Sequence, residues 1–336
     1  MIKSVRTRKR GIGTGLLVLL LSLIANCLIW DVGEVKLLEL GSAAIRIVTG
    51  APVIQAGGED SQGIPVQIYR EHGTVYNPLF IARDAQSAAG SSAPEAGKDF
   101  ISYSDWLYSH ATENDSLLLV SYRFDYPELG MRDPWTSALA QAVIMNVFHL
   151  RYEASGDSLW QIRSRKALKS LDPASGTGLA SRGGDGVWFW EYPSKDSIRV
   201  LNGMMGILLE LDRYGRATGN ELAKSLFKDG FAALRRELPA FDRHGYSLYD
   251  SRGVLAGRMY HQKHISQLKA LNSINPDPVL ARYAKRWQVH DHLPLPWQLI
   301  LNPRPKRVLA FGFTWLILIL LGFLVLNLLR RRFRQN

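Results

Sequence analysis

Three segments of the chain combine aromatic, basic and acidic side chains that could act on a sugar. They are residues 122–135, 188–203 and 246–268. Aromatic rings offer faces for stacking against a sugar, and a planar guanidinium can clamp a carboxylate. A single Trp or Tyr is more often buried in a core, but loops that mix aromatic and ionisable residues more often line a site. Three such segments together favour an acidic carbohydrate ligand.

The same segments contain motifs in a definite order. They read WFWEYP, VLNG, LPAFDRHGYSLYDSR and YHQKHISQLKAL, preceded by DPWTSALAQA. Over roughly residues 118–290 these motifs resemble the C-terminal helical domain of D-glucuronyl C5-epimerases, which convert glucuronate to iduronate within heparan-type polysaccharides. The resemblance implies an isomerase that needs no cofactor, because inversion at C5 involves no net redox change.

Inversion at C5 needs one group that removes a proton and another that returns one to the opposite face. It also needs cations or donors that hold negative charge on the carboxylate. The resemblance assigns these catalytic roles to Tyr192, Tyr249, Tyr260, Arg252 and Glu191. Because a free Tyr titrates near pH 10, we expect the Arg252 guanidinium to favour a phenolate at Tyr249.

The resemblance also implies a set of substrate-binding residues, each with a structural alternative. The histidines could be helix caps or solvated side chains, the asparagine could be satisfied by backbone, and the tryptophans could belong to the core. The set is His261, His264, Asn202, Trp135 and Trp188.

No metal-binding pattern is recognisable in the sequence. Asp125 and Glu128 could hold a structural cation such as calcium, but the surrounding residues do not form a known calcium loop.

Helical periodicity dominates from about residue 100 onward. Pro134 is expected at the start of one helix and Asp157 as the cap of the next. Further helices are predicted at residues 198–214, after Asn220 until before Pro239, and at 261–271 and 278–289. Successive amphipathic helices joined by Gly- and Pro-rich turns predict a mainly α fold, an α/α toroid of helical hairpins over residues 100–292.

The region before this domain has a different pattern. Residues 31–99 are predicted to be a short β-rich and loop segment, with strands at 44–48 and 65–69. Small polar residues at 86–98 predict a linker or exposed loop. Residues 293–307 are predicted to be a second linker.

Two apolar runs, residues 11–30 and 308–329, are each long enough to span a bilayer. Basic residues are concentrated in the adjoining tails, residues 1–10 and 330–336, and therefore predict that both ends are cytoplasmic. Residues 31–307 would then lie in the periplasm of a bacterium, anchored to the inner membrane. A cleaved signal peptide, or lipidation at Cys27, is the alternative for the first run.

The formal net charge of +11 does not indicate a nucleic-acid partner. Nine of the 41 Lys and Arg residues lie in the two tails, so the remaining 32 nearly balance the 30 acidic residues. The basic excess is better explained by contact with membrane lipid. Cys27 is the only cysteine, so the predicted periplasmic domain contains no disulfide.

The sequence thus predicts a membrane-anchored polysaccharide uronate C5-epimerase. Two alternatives stay open: a uronate lyase, which would use the same C5 carbanion, and a non-catalytic carbohydrate-binding subunit of a polysaccharide export complex. An acidic polysaccharide is the expected substrate. The sequence leaves open whether the chain forms a homodimer, whether it binds polysaccharide synthesis or export machinery, and whether its polymer is sulfated.

Overall fold

The structure of the protein is a computed structural model that describes residues 14–30, 33, 36–37, 57–69, 73–184, 186–194 and 196–335. The predicted strand at residues 44–48 and the first tail lie outside these residues. The chain divides into two compact units, Ile54–Val289 and a terminal unit made of Met1–Val53 with His290–Asn336.

The described residues are mainly helical, as predicted. In chain order the helices are α1 (Thr14–Trp30), α2 (Pro78–Ala89), α3 (Ala96–Ser109), α4 (Ala138–Ser155), α5 (Ser158–Lys169), α6 (Leu201–Thr218), α7 (Glu221–Glu237), α8 (Arg258–Ile274), α9 (Pro278–Asp291), α10 (Leu295–Leu301) and α11 (Pro305–Gln335). The strands are short: β1 (Gly58–Glu59), β2 (Pro65–Tyr69), β3 (Gly73–Val75), β4 (Ala111–Glu113), β5 (Leu118–Val120), β6 (Ala180–Gly183), β7 (Gly186–Phe189), β8 (Asp242–Arg243) and β9 (Tyr246–Ser247).

The larger unit is built from consecutive helical hairpins. Helices α2, α4, α6 and α8 contact one another in that order and form one layer, while α3, α5 and α7 each pack on the helix that precedes them. Helix α4 is central, since its residues 138–149 are all buried. A helix that is buried on every side belongs inside a core, and α4 lies between two helices of its own layer and its hairpin partner.

Small antiparallel strand pairs separate the hairpins. The pair β4–β5 lies between α3 and α4, β6–β7 between α5 and α6, and β8–β9 between α7 and α8. Ser181 faces Trp188 in the second pair, so residues 190–192 follow directly from its end. The strand pairs therefore position the loops in which the sequence places its candidate site residues.

The predicted helix cap at Asp157 is confirmed, and Asn220 caps the helix that was predicted to begin after it. The Asp157 side chain accepts a hydrogen bond from the N–H of Leu159 at 2.9 Å, and Asn220 accepts one from the N–H of Ala223 at 3.1 Å. Such caps satisfy backbone donors that a helix start leaves without a partner.

The predicted helix start at Pro134 is wrong. Helix α4 begins at Ala138, where the Ser137 hydroxyl accepts a hydrogen bond from the N–H of Ala140. The backbone of Trp135 pairs instead with that of Tyr122, through N···O distances of 2.7 and 3.3 Å. This bridge keeps the residues around Pro134 out of the helix.

The prediction that residues 31–99 contain only strands and loops is also wrong for residues 78–89 and 96–99, which are helical. Helix α2 and the start of α3 occupy much of residues 78–98, including both ends of the predicted linker, whereas residues 90–95 between them form an exposed turn as predicted. Asn77 caps α2 and Pro78 occupies its first turn. The Ala-rich sequence resembles a linker, but Ala is the best helix former, and the buried residues of α2 recur at helical spacing.

The terminal unit contains α1, α10 and α11. Residues Pro305–Arg332 of α11 form a helix long and apolar enough to cross a membrane, and an 18-residue window within it has a mean hydropathy of 2.7. The described part of helix α1 is apolar but shorter, so among the described residues only one of the two predicted spans meets the length expected of a crossing helix. Helices α10 and α11 also take up most of the predicted linker at residues 293–307.

Polar side chains join α1 to α11. The Asn26 amide donates to the carbonyl oxygen of Phe311 at 3.1 Å, and the Trp30 indole donates to the Thr314 hydroxyl at 2.8 Å. The Trp30 and Phe311 rings meet edge to face with centroids 5.8 Å apart. These contacts hold the two apolar helices side by side.

Candidate active site

Glu191 lies at the end of β7 and is almost fully buried, with 6% of its surface exposed. The preceding residue, Trp190, is held on both sides: its N–H donates to Leu179 O at 2.8 Å, and its carbonyl oxygen accepts from the N–H of Ala138 at 3.1 Å. The carboxylate packs against the backbone of Gly203 in α6. The position of Glu191 is therefore fixed by the end of β7 on one side and by α6 on the other.

Burial raises the pKa of Glu191 from its ordinary value of 4.5 to about 7. A hydrogen bond from Tyr192 and the positive charges of Lys263 and Arg83 oppose this rise. The second carboxylate oxygen, Oε2, is buried without a hydrogen-bond partner in the described structure. A carboxyl group with such a pKa is suited to both accept and donate a proton near neutral pH.

The charge of Glu191 acts on all three predicted tyrosines. Burial raises the pKa of Tyr192, Tyr249 and Tyr260, and the charge of Glu191 raises each further. Interaction with the Tyr192 hydroxyl opposes the rise in the pKa of Tyr249. The Tyr249 and Tyr260 rings meet edge to face with centroids 5.0 Å apart. All three side chains are therefore neutral phenols at physiological pH.

Arg252 does not create the phenolate that we expected at Tyr249. Its guanidinium donates to Asp250 Oδ2 from Nε at 3.0 Å and from Nη2 at 2.6 Å. Asp250 is fully buried, and this pairing raises the pKa of Arg252. Since the pKa of Tyr249 is raised, the expected phenolate is wrong for this structure.

Two cations beside Glu191 were missed by the sequence analysis. The charges of Lys263 and Arg83 both lower the pKa of Glu191. Burial, and then the charge of Arg83, lower the pKa of Lys263, whose Nζ lies 6.0 Å from the centroid of the Tyr260 ring. The helical spacing of Lys263 from Tyr260 could have identified the lysine. Arg83 belongs to α2, the helix that was not predicted.

His261 and His264 are fully buried around Ser247. The Ser247 hydroxyl lies 2.8 Å from the Nδ1 atom of each ring, and its N–H donates to His261 Nδ1 at 3.1 Å. The other ring nitrogen of His261 lies 3.2 Å from the carbonyl oxygen of Trp287. Burial, and then the charges of His261 and Lys263, lower the pKa of His264 to about 3. These contacts fasten α8 to β9.

Asn202 lies in the first turn of α6, next to Gly203, and is buried. Its carbonyl oxygen accepts a hydrogen bond from the Gln267 amide of α8 at 3.1 Å. Its side-chain oxygen is buried without a hydrogen-bond partner in the described structure. Asn202 is thus near Glu191 in the fold and carries a buried acceptor that the described residues leave unused.

The two predicted stacking tryptophans are packed against other rings. Trp135 stacks on Tyr122 with centroids 3.9 Å apart, and its centroid lies 6.2 Å from that of Tyr192. Trp188 lies parallel to Phe241 at 6.0 Å and is 5% exposed. Trp135 therefore borders the tyrosine cluster, whereas Trp188 belongs to the core beneath the loop.

Asp125 is engaged within its own loop, where its carboxylate accepts a hydrogen bond from the N–H of Asp133 at 2.9 Å. The side chain of Glu128 lies outside the described part of the structure. Among the residues that are described, no group of three or more His, Cys, Asp or Glu side chains could hold a metal ion.

The described part of the protein is thus a helical-hairpin fold that carries a carboxyl–tyrosine cluster, made of Glu191, Tyr192, Tyr249 and Tyr260. The structure is similar to that of cellobiose 2-epimerase from Bacillus thermoamylovorans, an α/α toroid-like fold, with a TM-score of 0.50. That likeness covers 64% of this chain and 60% of the other, and at 7% identity it shows the fold alone.

The family model for the D-glucuronyl C5-epimerase C-terminus matches residues 114–289, more than half of the chain, so the chain belongs to this family. It is 27% identical over 210 residues to the D-glucuronyl C5-epimerase of Caenorhabditis elegans, covering 56% of this chain and 34% of that protein. It is 29% identical over 181 residues to an uncharacterized protein of Methanocaldococcus jannaschii, covering 52% and 59%. In both comparisons the match is shorter than two thirds of the relative.

Proposed function

We propose that the protein is a polysaccharide uronate C5-epimerase, which converts D-glucuronate to L-iduronate residues within a polymer. The observation that carries the proposal is the buried carboxyl group of Glu191, whose pKa is raised to about 7 and whose charge raises the pKa of Tyr192, Tyr249 and Tyr260. These residues all fall within the part of the chain that matches the epimerase family.

The proposed reaction begins with loss of the C5 proton. The Tyr192 oxygen takes this proton while its own proton passes along the hydrogen bond to Glu191, so that a neutral phenol acts as a base without forming a free phenolate. We place Tyr249 on the same side of the sugar as Tyr192, because the Tyr192 hydroxyl acts directly on its pKa. The C5–H electron pair then moves into the carboxylate, giving a doubly charged intermediate.

Return of a proton to the opposite face completes the inversion. We assign this step to Tyr260, whose raised pKa keeps it protonated until the intermediate forms. Lys263 and Arg83 hold the substrate carboxylate and stabilise the charge that develops on it. One proton leaves C5 and one returns, so the reaction needs no redox cofactor.

We also propose that the hairpins close into an α/α toroid and that the chain crosses the inner membrane twice, with the catalytic domain in the periplasm. The hydrogen bonds between α1 and α11 support a two-helix anchor, and the basic tails support cytoplasmic ends. Protease added to sealed spheroplasts should degrade the catalytic domain while sparing a C-terminal tag. Loss of the tag with protection of the domain would reverse the assigned orientation.

The proposed activity is tested by incubating the full-length protein in detergent with heparosan in deuterated water. We expect deuterium at C5 and iduronate by NMR, with unchanged chain length. A lyase would instead shorten the chain and produce an unsaturated uronate that absorbs in the ultraviolet. Binding of heparosan without any C5 exchange would favour a non-catalytic carbohydrate-binding subunit.

A further inference from the structure

A cleft of about 800 Å³ lies beside the carboxyl–tyrosine cluster. Its walls come from the loop before α4, the turn that leads into β6 and the loop after β7. Its volume lies within the roughly 300–1,000 Å³ that small-molecule sites occupy. The cleft is therefore large enough for sugar residues in addition to the one at Tyr192.

The cleft shares a wall with the carboxyl–tyrosine cluster. Trp190 and Pro193 line it and flank Glu191 and Tyr192 in the chain. Trp135 also lines it, and its ring centroid lies 6.2 Å from that of Tyr192. A polymer with one residue at Tyr192 would therefore continue along this wall.

The wall is held in place before any ligand arrives. Both backbone polar groups of Trp190 are hydrogen-bonded, and the Trp135 indole donates to Phe124 O at 2.8 Å. Thr136 pairs with Ser121 through their hydroxyls at 2.8 Å. A lining fixed in this way loses little conformational freedom when it binds.

The chemistry of the lining suits an anionic sugar. Among the described residues that line the cleft, Arg132 is the only one with an ionisable side chain, and it is exposed. The adjacent carboxylate of Asp133 pairs with Arg123 at 3.2 Å. Hydroxyl side chains such as Ser181 and Ser194 make up much of the remaining polar lining. One guanidinium beside hydroxyls and an indole can bind an acidic group and a sugar ring together.

We propose that this cleft is a binding subsite for the polymer residues next to the one at Tyr192, and that Arg132 binds a second anionic group of the same polymer. The anionic group is a carboxylate or a sulfate, since a guanidinium pairs with either. The proposal rests on the proposed function, because it assumes that the substrate is an acidic polysaccharide.

The test compares Arg132→Gln with the matched control Arg282→Gln, which removes an exposed arginine from α9, outside the cleft. Calorimetry would measure the binding of a heparosan hexasaccharide, its N-sulfated form and a heparosan disaccharide to the full-length protein in detergent. We expect Arg132→Gln to weaken hexasaccharide binding at least about tenfold, since a lost charge-assisted hydrogen bond has that effect. Disaccharide binding and the control variant should be unchanged.

Comparison of the two hexasaccharides shows whether Arg132 binds a carboxylate or a sulfate. Weaker binding of both would identify a carboxylate as the partner of Arg132, and weaker binding of the N-sulfated form alone would identify a sulfate. Equal hexasaccharide affinities for wild type and Arg132→Gln would overturn the subsite. Failure of the wild-type protein to bind either hexasaccharide would overturn it as well.

The subsite and the proposed activity can fail separately. Arg132-dependent binding without deuterium at C5 would retain the subsite and reject the epimerase. Deuterium at C5 with the same KM and affinity in wild type and Arg132→Gln would retain the epimerase and reject the subsite.

Discussion

Gly203 lies directly against the carboxylate of Glu191. A Cβ atom at position 203 would collide with Glu191 Oε2 and approach Glu191 Cβ to 2.9 Å. Glycine is normally unfavourable inside a helix by about 1 kcal/mol relative to alanine. Its presence in the first turn of α6 is explained by the space that the buried carboxyl group needs.

The variant Gly203→Ala should therefore displace Glu191 and reduce the rate of C5 exchange about 100-fold, because a shift of about 1 Å in a catalytic group has this effect. The control is Gly215→Ala on the same helix, where the added Cβ would meet the flexible Lys224 side chain at 3.3 Å. NMR-monitored exchange of heparosan would measure both rates. Equal rates in the two variants would contradict the importance of this contact.

The variant Glu191→Gln should change how stability depends on pH. The folded-state pKa of about 7 lies above the ordinary value of 4.5, so the folded protein binds more protons between these values and loses stability as pH rises through them. The loss approaches about 3 kcal/mol above pH 7 and is absent when Gln replaces Glu.

Urea unfolding of both proteins at pH 4.5 and pH 8 would measure this difference. His264, with its lowered pKa, loses its contribution to stability as pH falls below about 6.5, but it is present in both proteins and cancels in the comparison. We expect Glu191→Gln to be more stable than wild type at pH 8, with the advantage shrinking toward pH 4.5. A difference that does not vary with pH would count against the raised pKa.

Lys263→Met should raise the pKa of Glu191 further, because the lysine charge lowers it. If ionised Glu191 drives proton removal, the acid limb of the exchange rate should move to higher pH and KM should rise. Lys269→Met, an exposed lysine on the same helix, is the control. An acid limb at the wild-type position would show that Lys263 does not act on Glu191.

Ser247→Ala should destabilise the fold while leaving substrate binding intact. It removes the hydroxyl that joins His261 and His264, at a cost of about 1–3 kcal/mol for buried polar groups left without partners. Ser273→Ala, which removes an exposed hydroxyl bonded within its own helix, should cost much less. Unfolding experiments and KM measurements would separate the roles, since a large rise in KM would indicate that the histidines contact substrate.

The predictions from sequence were strongest where local chemistry determines the structure. Asp157 caps its helix as expected, and the helix predicted to begin after Asn220 does so, because capping needs only a side chain and the next few N–H groups. Helix α2 was missed because its Ala and Ser residues resemble a linker, and only packing against α3 and α4 shows which of them are buried.

The residues of the candidate site were likewise only partly predictable from the sequence. The resemblance to the epimerase family identified Glu191 and the three tyrosines, which share one electrostatic environment in the structure. It did not identify Arg83, which is more than 100 residues away in the chain. Nor could it predict the tyrosine pKa values, because these depend on burial and on whether Arg252 pairs with Asp250 or with substrate.

In the proposed mechanism, Glu191 and Tyr192 transfer the C5 proton. Deuterium incorporation at C5 of heparosan by wild type and by Glu191→Gln tests this claim most directly, with heparosan affinity measured on the same samples. We expect wild-type exchange with iduronate formation, and at least a 100-fold slower exchange in the variant at unchanged affinity. Equal exchange rates in the two proteins would contradict the account.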